Sequence, residues 1–292
     1  QSLVFTRYTQ ARAQLWQVTL SNGKTIPLPD NPYTWFNQPC YSPDGRLACL
    51  ASSADLPPSV RLLTKSGWET LAQADPPPAP GRYPAPRPLE FGAANGEQVH
   101  ATWYPPVAVG GALPPAVVHL HSGPTRLAGL EYDPQILFFT SRGIGWLSVN
   151  YRGSAGFGRA YQEALHGRWG EVDVEDAAAA IQALAASGWA DPQRLALYGS
   201  SAGGLTVLNT LIRHPGLARA AICKYPVSEL LSLNDSTHKF ELHYNDWLLG
   251  KLPEAAHLYR ERSPLYRAAE IRTPLALFHG GQDPVVPLAQ SQ

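Results

Sequence analysis

Short runs of alternating apolar and polar residues fill the first 85 positions. Beyond them, longer apolar runs alternate with helical periodicity. In the first region "SLVFTRYT" and "QLWQVTL" are β-prone runs joined through "QARA", and a turn signal follows at Asn22-Gly23. "YSPDGRLACLASS" sets a Pro-Asp-Gly turn before a short apolar strand, and "SVRLLTKSGWETL" repeats the arrangement around Ser66-Gly67. Strands at this spacing predict an all-β unit: a sandwich, a barrel or part of a propeller, with too few strands for a closed propeller. The proline-dense stretch 74–88 cannot enter a helix or a central strand. It is expected to be an extended seam dividing residues 1–85 from 86–292; a surface loop within one domain is the other possibility.

From residue 89 the pattern changes. "LEFGAANGEQVHATWYPP" predicts a hairpin turning at Asn95-Gly96. "AVVHLHS", "WLSVNYRG", "RLALYG", "ARAAICKYP" and "PLALFHGGQD" predict buried strands. Between them "PQILFFTSRG", "VEDAAAAIQALAAS" and "GLTVLNTLIRH" predict helices, the first two stopped by Gly143 and Gly188. Strands alternating with helices in this way predict an α/β fold, with a mostly parallel sheet covered on both faces.

Composition narrows the function classes. Apolar residues make up 44% of the 292 and charged residues 16%, enough for a sizeable core. The net charge is zero, which gives no ground for a nucleic-acid or anionic-membrane partner. No apolar run is long enough to span a membrane, and "QSLVFTRYTQ" lacks a signal-peptide pattern. Cys40, Cys49 and Cys223 fit neither a disulfide framework nor a zinc site and are expected to be free thiols in a reducing, cytoplasmic setting. The chain has no Met at its start or anywhere else, and it stops at "VPLAQSQ". These features are expected to mark a fragment, a point that an intact-mass measurement would decide.

Catalytic chemistry concentrates in Gly199-Ser200-Ser201-Ala202-Gly203, which fits G-x-S-x-G between a strand and an apolar helix. A nucleophile at such an elbow takes strained backbone angles, so its neighbours must be small. It also sits at a helix N-terminus, where free N–H groups favour developing negative charge. The register selects Ser201. The N–H of Ala202 is one expected oxyanion donor, and Gly123 in "HLHSGPT" supplies the second. Asp283 in "HGGQDPVVP" is the candidate orienting acid. The expected chain order is Ser, Asp, His, yet none of the nine histidines follows Asp283. His279 is expected to stabilise the loop, and His238 and His243 to belong to a cap or pocket wall. The base is therefore expected beyond Gln292, or this chain alone is not an active unit.

These motifs resemble the prolyl oligopeptidase family of serine peptidases. "HSGPT" is similar to the family's H-G-G-P loop, "VNYRGSAGFGRAY" to N-Y-R-G-S-x-G-x-G and "WGEVDVEDAAAAI" to W-G-x-x-D-x-x-D. "GSSAGG" and "HGGQDPVVP" match the nucleophile and aspartate blocks, so the resemblance runs over residues 89–292. "THKFELHYNDWLLGKLPEAAHLYRERSPL" looks typical of a bacterial branch. Ser122 departs from the family's first Gly. The resemblance implies an α/β-hydrolase domain capped by a β-propeller whose last strands are residues 1–85. It also implies a histidine some thirty residues past Gln292, and hydrolysis of short peptides through an acyl-enzyme on Ser201. A carboxylesterase on the same scaffold and a non-catalytic interaction module stay open as rivals. Tyr151, Phe157 and Trp247 are candidate substrate-pocket walls. Arg152 and Arg159 could pair with a substrate carboxylate, although structural or solvated roles are the default. No metal or organic cofactor is implied, and a homo-oligomer stays open.

Overall fold

The computed structural model describes residues 1–73, 76, 83, 85–107, 110–236 and 243–292. Most of the proline-dense seam and His238 lie outside the described residues. Two seven-stranded sheets organise the rest.

The N-terminal sheet contains β1 (Ser2–Thr9), β2 (Arg12–Thr19), β3 (Thr25–Pro27), β4 (Trp35–Tyr41), β5 (Leu47–Ser53), β6 (Leu56–Thr64) and β7 (Gly67–Gln73). Its order is β1-β2-β4-β5-β6-β7, with β3 beside β2. Strands β4 to β7 form an antiparallel meander, and β2 meets β4 in parallel at Ala13 and Trp35. Leu15, Tyr33, Phe36, Cys49 and Ala51 make its small core. The β1–β2 connection is a two-residue turn in which Gln10 and Ala11 both have positive φ, 48° and 63°. No Gly or Asn announces this turn. Contacts to the second sheet hold it instead, including Gln10 N–H to Gly156 O at 3.1 Å. Strand β6 runs through Pro57 and Pro58, where the sequence pattern gives no strand. The prolines fall at a register shift against β5, where missing N–H donors cost little.

The second sheet contains β8 (Arg87–Gly92), β9 (Gln98–Tyr104), β10 (Ala116–Leu120), β11 (Gly145–Asn150), β12 (Leu195–Ser200), β13 (Ala220–Lys224) and β14 (Leu275–Phe278). Its order is β14-β13-β12-β10-β11-β9-β8. Strands β10 to β14 are mutually parallel, whereas β9 runs antiparallel to β11 and β8 antiparallel to β9. The sheet is therefore mixed rather than wholly parallel, because the Asn95-Gly96 hairpin forces β8 and β9 into opposite directions. Helices α1 (Pro134–Thr140), α2 (Arg159–Glu163), α3 (Val172–Ala186), α4 (Ala202–Arg213), α5 (Leu230–Ser236), α6 (Tyr244–Leu249) and α7 (Ala256–Glu261) complete the fold. No helix among the described residues is long and apolar enough to cross a membrane.

Strand alternation sorts the core onto two faces. Val118, Leu120 and Leu197 pack with Ala177, Ile181 and Leu184 of α3 and Val207 and Leu211 of α4. On the other face Val117, Trp146 and Tyr198 pack with Ile136 of α1. Each fully buried Leu, Ile or Val contributes about 1.5–3 kcal/mol. Arg152 is 1% exposed and ties the β11 end to α3 and the β8–β9 turn. It meets Asp176 in a fork (2.7 and 3.0 Å), Glu97 at 2.6 Å and Glu175 at 3.2 Å. Each of its three guanidinium nitrogens bonds an internal carboxylate, so it is a structural clamp rather than a partner for a substrate carboxylate. Strand β14 ends the sheet, with Leu277 and Phe278 exposed.

Candidate active site

Ser201 joins β12 directly to α4, with φ 52° and ψ −121°. A serine seldom adopts these angles, and its neighbours fix them. Its N–H donates to Lys224 O (3.1 Å), while its carbonyl accepts from the N–H groups of Gly204 (2.9 Å), Leu205 (3.2 Å) and Val227 (3.2 Å). The flanking glycines permit a close crossing. A Cβ on Gly199 would lie 2.3 Å from Gly203 O, and one on Gly203 would lie 2.2 Å from Leu120 O. Ala202 opens α4, so its N–H has no intrahelical acceptor. The Ser201 side chain makes no capping bond to the helix.

The segment 121–133 follows β10 without helix or strand. Gly123 within it has φ +67°. His121 anchors its start: the imidazole stacks on Tyr151 with centroids 4.3 Å apart and planes at 17°. Its Nδ1 lies 3.2 Å from Ser122 O and 3.4 Å from Tyr151 OH, its Nε2 lies 2.8 Å from Ser154 Oγ, and Ser154 Oγ is 2.7 Å from Tyr151 O. Burial pushes the imidazole down to about 4, so the ring is neutral near pH 7. Tyr151 is thus fully buried beneath the loop, not on an open wall, because the β11 end carries it under His121. Thr125 Oγ1 meets Tyr244 OH at 2.6 Å and links this loop to α6.

Asp283 lies five residues beyond β14. Its Oδ1 accepts from the N–H groups of Val286 (3.0 Å) and Val285 (2.9 Å), which hold the carboxyl below its ordinary range. His279 braces the loop: Nε2–H donates to Val286 O (2.8 Å) and Nδ1 accepts from Ser291 O–H (2.7 Å). Its Nε2 is 3.9 Å from Asp283 Oδ2. The aspartate loop and the serine elbow follow parallel strands, β14 and β12, that are separated by β13. Tyr225 N–H, just after β13, donates to Phe278 O at 2.7 Å. Val286 and Ala202 share one apolar cluster with Val227, Leu230 and Leu248.

The other candidates are distributed differently. Trp247 packs against that same cluster and lies beside His166, with centroids 5.2 Å apart. It also lines an open cavity of about 480 Å³ with Tyr8, Gly158 and Arg159. Phe157 stacks on His100 at 4.4 Å and lines a cavity of about 330 Å³ at the junction of the two sheets, with Gln10, His100, Leu130 and Asn150. His243 caps α6 beside Asp246 (3.2 Å). Cys49 and Cys223 are buried free thiols pushed up to about 12 by desolvation, and Cys40 is exposed.

One residue of the quoted W-G-x-x-D-x-x-D block gains a role here that its sequence alone does not assign. Asp173 is fully buried and accepts from Thr206 Oγ1 of α4 (2.5 Å) and from Gly170 N–H (2.7 Å). Burial pushes its carboxyl up to about 6 despite these bonds. It ties α3 to the helix that carries the serine. An acidic residue among apolar positions on a helix that must be buried is the signal for it.

A serine lifted on a strand-to-helix corner, at the C-terminal edge of parallel strands, places the second sheet in the α/β-hydrolase class. Within that class the chain belongs to the prolyl oligopeptidase family, whose model matches residues 130–292. The chain is 27% identical over 210 residues to the uncharacterized peptidase YuxL of Bacillus subtilis, covering 71% of this chain and 32% of that protein. It is 30% identical over 188 residues to acylamino-acid-releasing enzyme 1 of Oryza sativa, covering 61% of this chain and 24% of that one. The solved structure of a Mycobacterium tuberculosis puromycin-hydrolyzing peptidase is 38% identical and superposes with a TM-score of 0.90 over 99% of this chain and 46% of that one. The Pyrococcus horikoshii acylaminoacyl peptidase shares the fold, with a TM-score of 0.86 at 23% identity over 99% of this chain and 46% of that one. The chain thus spans about a quarter to a third of these curated relatives and under half of these solved chains.

Proposed function

We propose that this chain is the catalytic part of a serine peptidase that hydrolyses short peptides through an acyl-enzyme on Ser201. The observation that carries this reading is the Ser201 backbone, held at φ 52° by four backbone hydrogen bonds and by glycines that nothing larger could replace. A fold that spends stability on such a corner gains a half-buried hydroxyl at a helix N-terminus. In this reading Ser201 Oγ attacks the scissile carbonyl as a histidine takes its proton. The N–H groups of Ala202 and Gly123 hold the oxyanion, and Asp283 orients and charge-stabilises the histidine. Both nitrogens of His279 are engaged in its own loop, so the proton acceptor in this reading is another histidine. Residues 86–292 are the hydrolase domain. Residues 1–85 are the end of a β-propeller, a reading supported by the four-stranded meander β4 to β7. A lid of that kind restricts the substrate to short peptides. The names of the relatives, a puromycin-hydrolyzing peptidase and acylamino-acid-releasing enzymes, agree with this class of reaction.

The test uses the full-length protein. A fluorophosphonate probe is expected to label Ser201, and Ser201→Ala is expected to lower kcat at least about 10⁴-fold with folding intact. An unlabelled serine, or activity within tenfold of wild type in Ser201→Ala, overturns the assignment. Peptide p-nitroanilides with higher kcat/KM than p-nitrophenyl esters support the peptidase over the esterase.

A further inference from the structure

The oxyanion loop has no regular structure of its own, so whatever fixes Gly123 must come from outside it. Two sets of contacts do so. Within the loop Gly123 O accepts from Arg126 N–H (3.0 Å), and from the hydrolase side Ala155 N–H donates to Arg126 O (3.1 Å). Asn150 brackets Ala128, its Oδ1 accepting the N–H at 2.8 Å and its Nδ2 donating to the carbonyl at 3.0 Å. From the opposite side the N-terminal sheet takes hold. Leu130 N–H donates to Ala11 O at the β1–β2 turn (2.7 Å), and Thr34 Oγ1 donates to Leu130 O. Gly129 lies so close to Trp35 that a Cβ there would be 2.0 Å from Trp35 Cζ3. Trp35 is 8% exposed and is itself packed by Tyr8, with ring centroids 5.6 Å apart.

We propose that the N-terminal sheet is a positioning element for catalysis: Thr34, Trp35 and the Gln10-Ala11 turn clamp residues 129–130 and thereby hold Gly123 where its N–H meets the oxyanion. This rests on the assignment of Gly123 made above. Oxyanion donors act only if pre-set, because reorganising them during the reaction forfeits their advantage. A displacement of about 1 Å at such a group costs on the order of 100-fold in rate. The positive φ at both Gln10 and Ala11 has its explanation here. Backbone strain at a turn that lacks glycine is tolerated where its carbonyl and N–H both grip the neighbouring domain. Movement of the N-terminal sheet away from the hydrolase would release the loop and lower turnover without touching Ser201.

The test compares wild type, Gly129→Ala and Thr34→Val in the full-length protein. Hydrogen exchange of the 121–131 segment is followed beside steady-state hydrolysis of a peptide p-nitroanilide. Gly129→Ala drives a methyl into the Trp35 ring. It is expected to speed exchange in 121–131 at least tenfold and to lower kcat at least tenfold, with KM within twofold. Thr34→Val adds no bulk and decides the matter if Gly129→Ala does not fold; the expected change is about fivefold in exchange and threefold in kcat. Exchange unchanged in the folded variants overturns the clamp. Faster exchange with unchanged kcat also overturns it, because the loop would then not be the oxyanion donor. Failure of the peptidase assignment shows itself separately, as a wild-type Ser201 that the fluorophosphonate leaves unlabelled.

Discussion

Gly203→Ala is the sharpest single perturbation of the elbow. An ideal Cβ at residue 203 stands 2.2 Å from Leu120 O and 2.6 Å from His121 O, whereas real Cβ contacts essentially never fall below 3.0 Å. The helix start and the β10 end must therefore separate by about 0.8 Å even to reach that limit. Both obstacles are backbone atoms, at the end of a central strand and just beyond it, and no side-chain rotation relieves them. Overpacking in a rigid interior costs about 1–3 kcal/mol, and backbone meeting backbone belongs at the upper end, about 3 kcal/mol. That corresponds to a fall in Tm of roughly 6–12 °C for a domain of this size. The same shift moves Ser201 and the Ala202 N–H against the Gly123 loop, so kcat should fall on the order of 100-fold. Urea unfolding and steady-state kinetics on the full-length protein measure both effects. Gly92→Ala, where nothing lies within 4 Å, is the control and should stay within about 0.5 kcal/mol. A Gly203→Ala variant that matches this control in stability and retains activity within threefold refutes the steric account of the elbow.

Three other substitutions probe the surroundings. Asp283→Asn keeps the loop nearly isosteric but removes the charge that stabilises an imidazolium, and kcat should drop about 10³–10⁴-fold with little change in Tm. An effect below tenfold would remove Asp283 from the catalytic set. Asp173 has a folded-state carboxyl raised to about 6, above its ordinary value, so its contribution to stability is full below pH 4 and is lost as pH rises through 6. Stability of wild type relative to Asp173→Asn should fall by roughly 3 kcal/mol between pH 4 and pH 7, measured by urea unfolding, and a flat difference contradicts the assignment. Arg152→Lys loses the fork to Asp176 and leaves that one buried carboxylate poorly paired, so it should destabilise by about 3 kcal/mol; a loss under 1 kcal/mol would show the network to be dispensable.

What could be foreseen from the chain follows from how local each signal is. The hairpin at Asn95-Gly96 and the elbow at Ser201 are written in short stretches whose residues tolerate few other conformations, and the structure forms both. The helix stops at Gly143 and Gly188 are equally local, and both glycines have positive φ. The β1–β2 turn is different: Gln10 and Ala11 carry no turn signal, because residues 130 and 156, far along the chain, dictate their angles. Tyr151 illustrates the same limit. Its motif position suggests the active-site edge, but only the three-dimensional stacking on His121 shows that it supports the loop from below. Arg152 is likewise fixed by partners 24 and 55 residues away. Short helices such as α6 and α7 escaped the periodicity altogether, since six residues make under two turns.

Strand β14 has a practical corollary. Among the described residues it closes the sheet with one flank unpaired and with Leu277 and Phe278 turned to water, while Val285 is exposed nearby. An open flank of this kind is an invitation to cross-molecular strand pairing. Produced by themselves, these 292 residues should therefore associate and precipitate as concentration rises. A lysine placed at position 277 should delay that clouding while leaving the serine corner untouched.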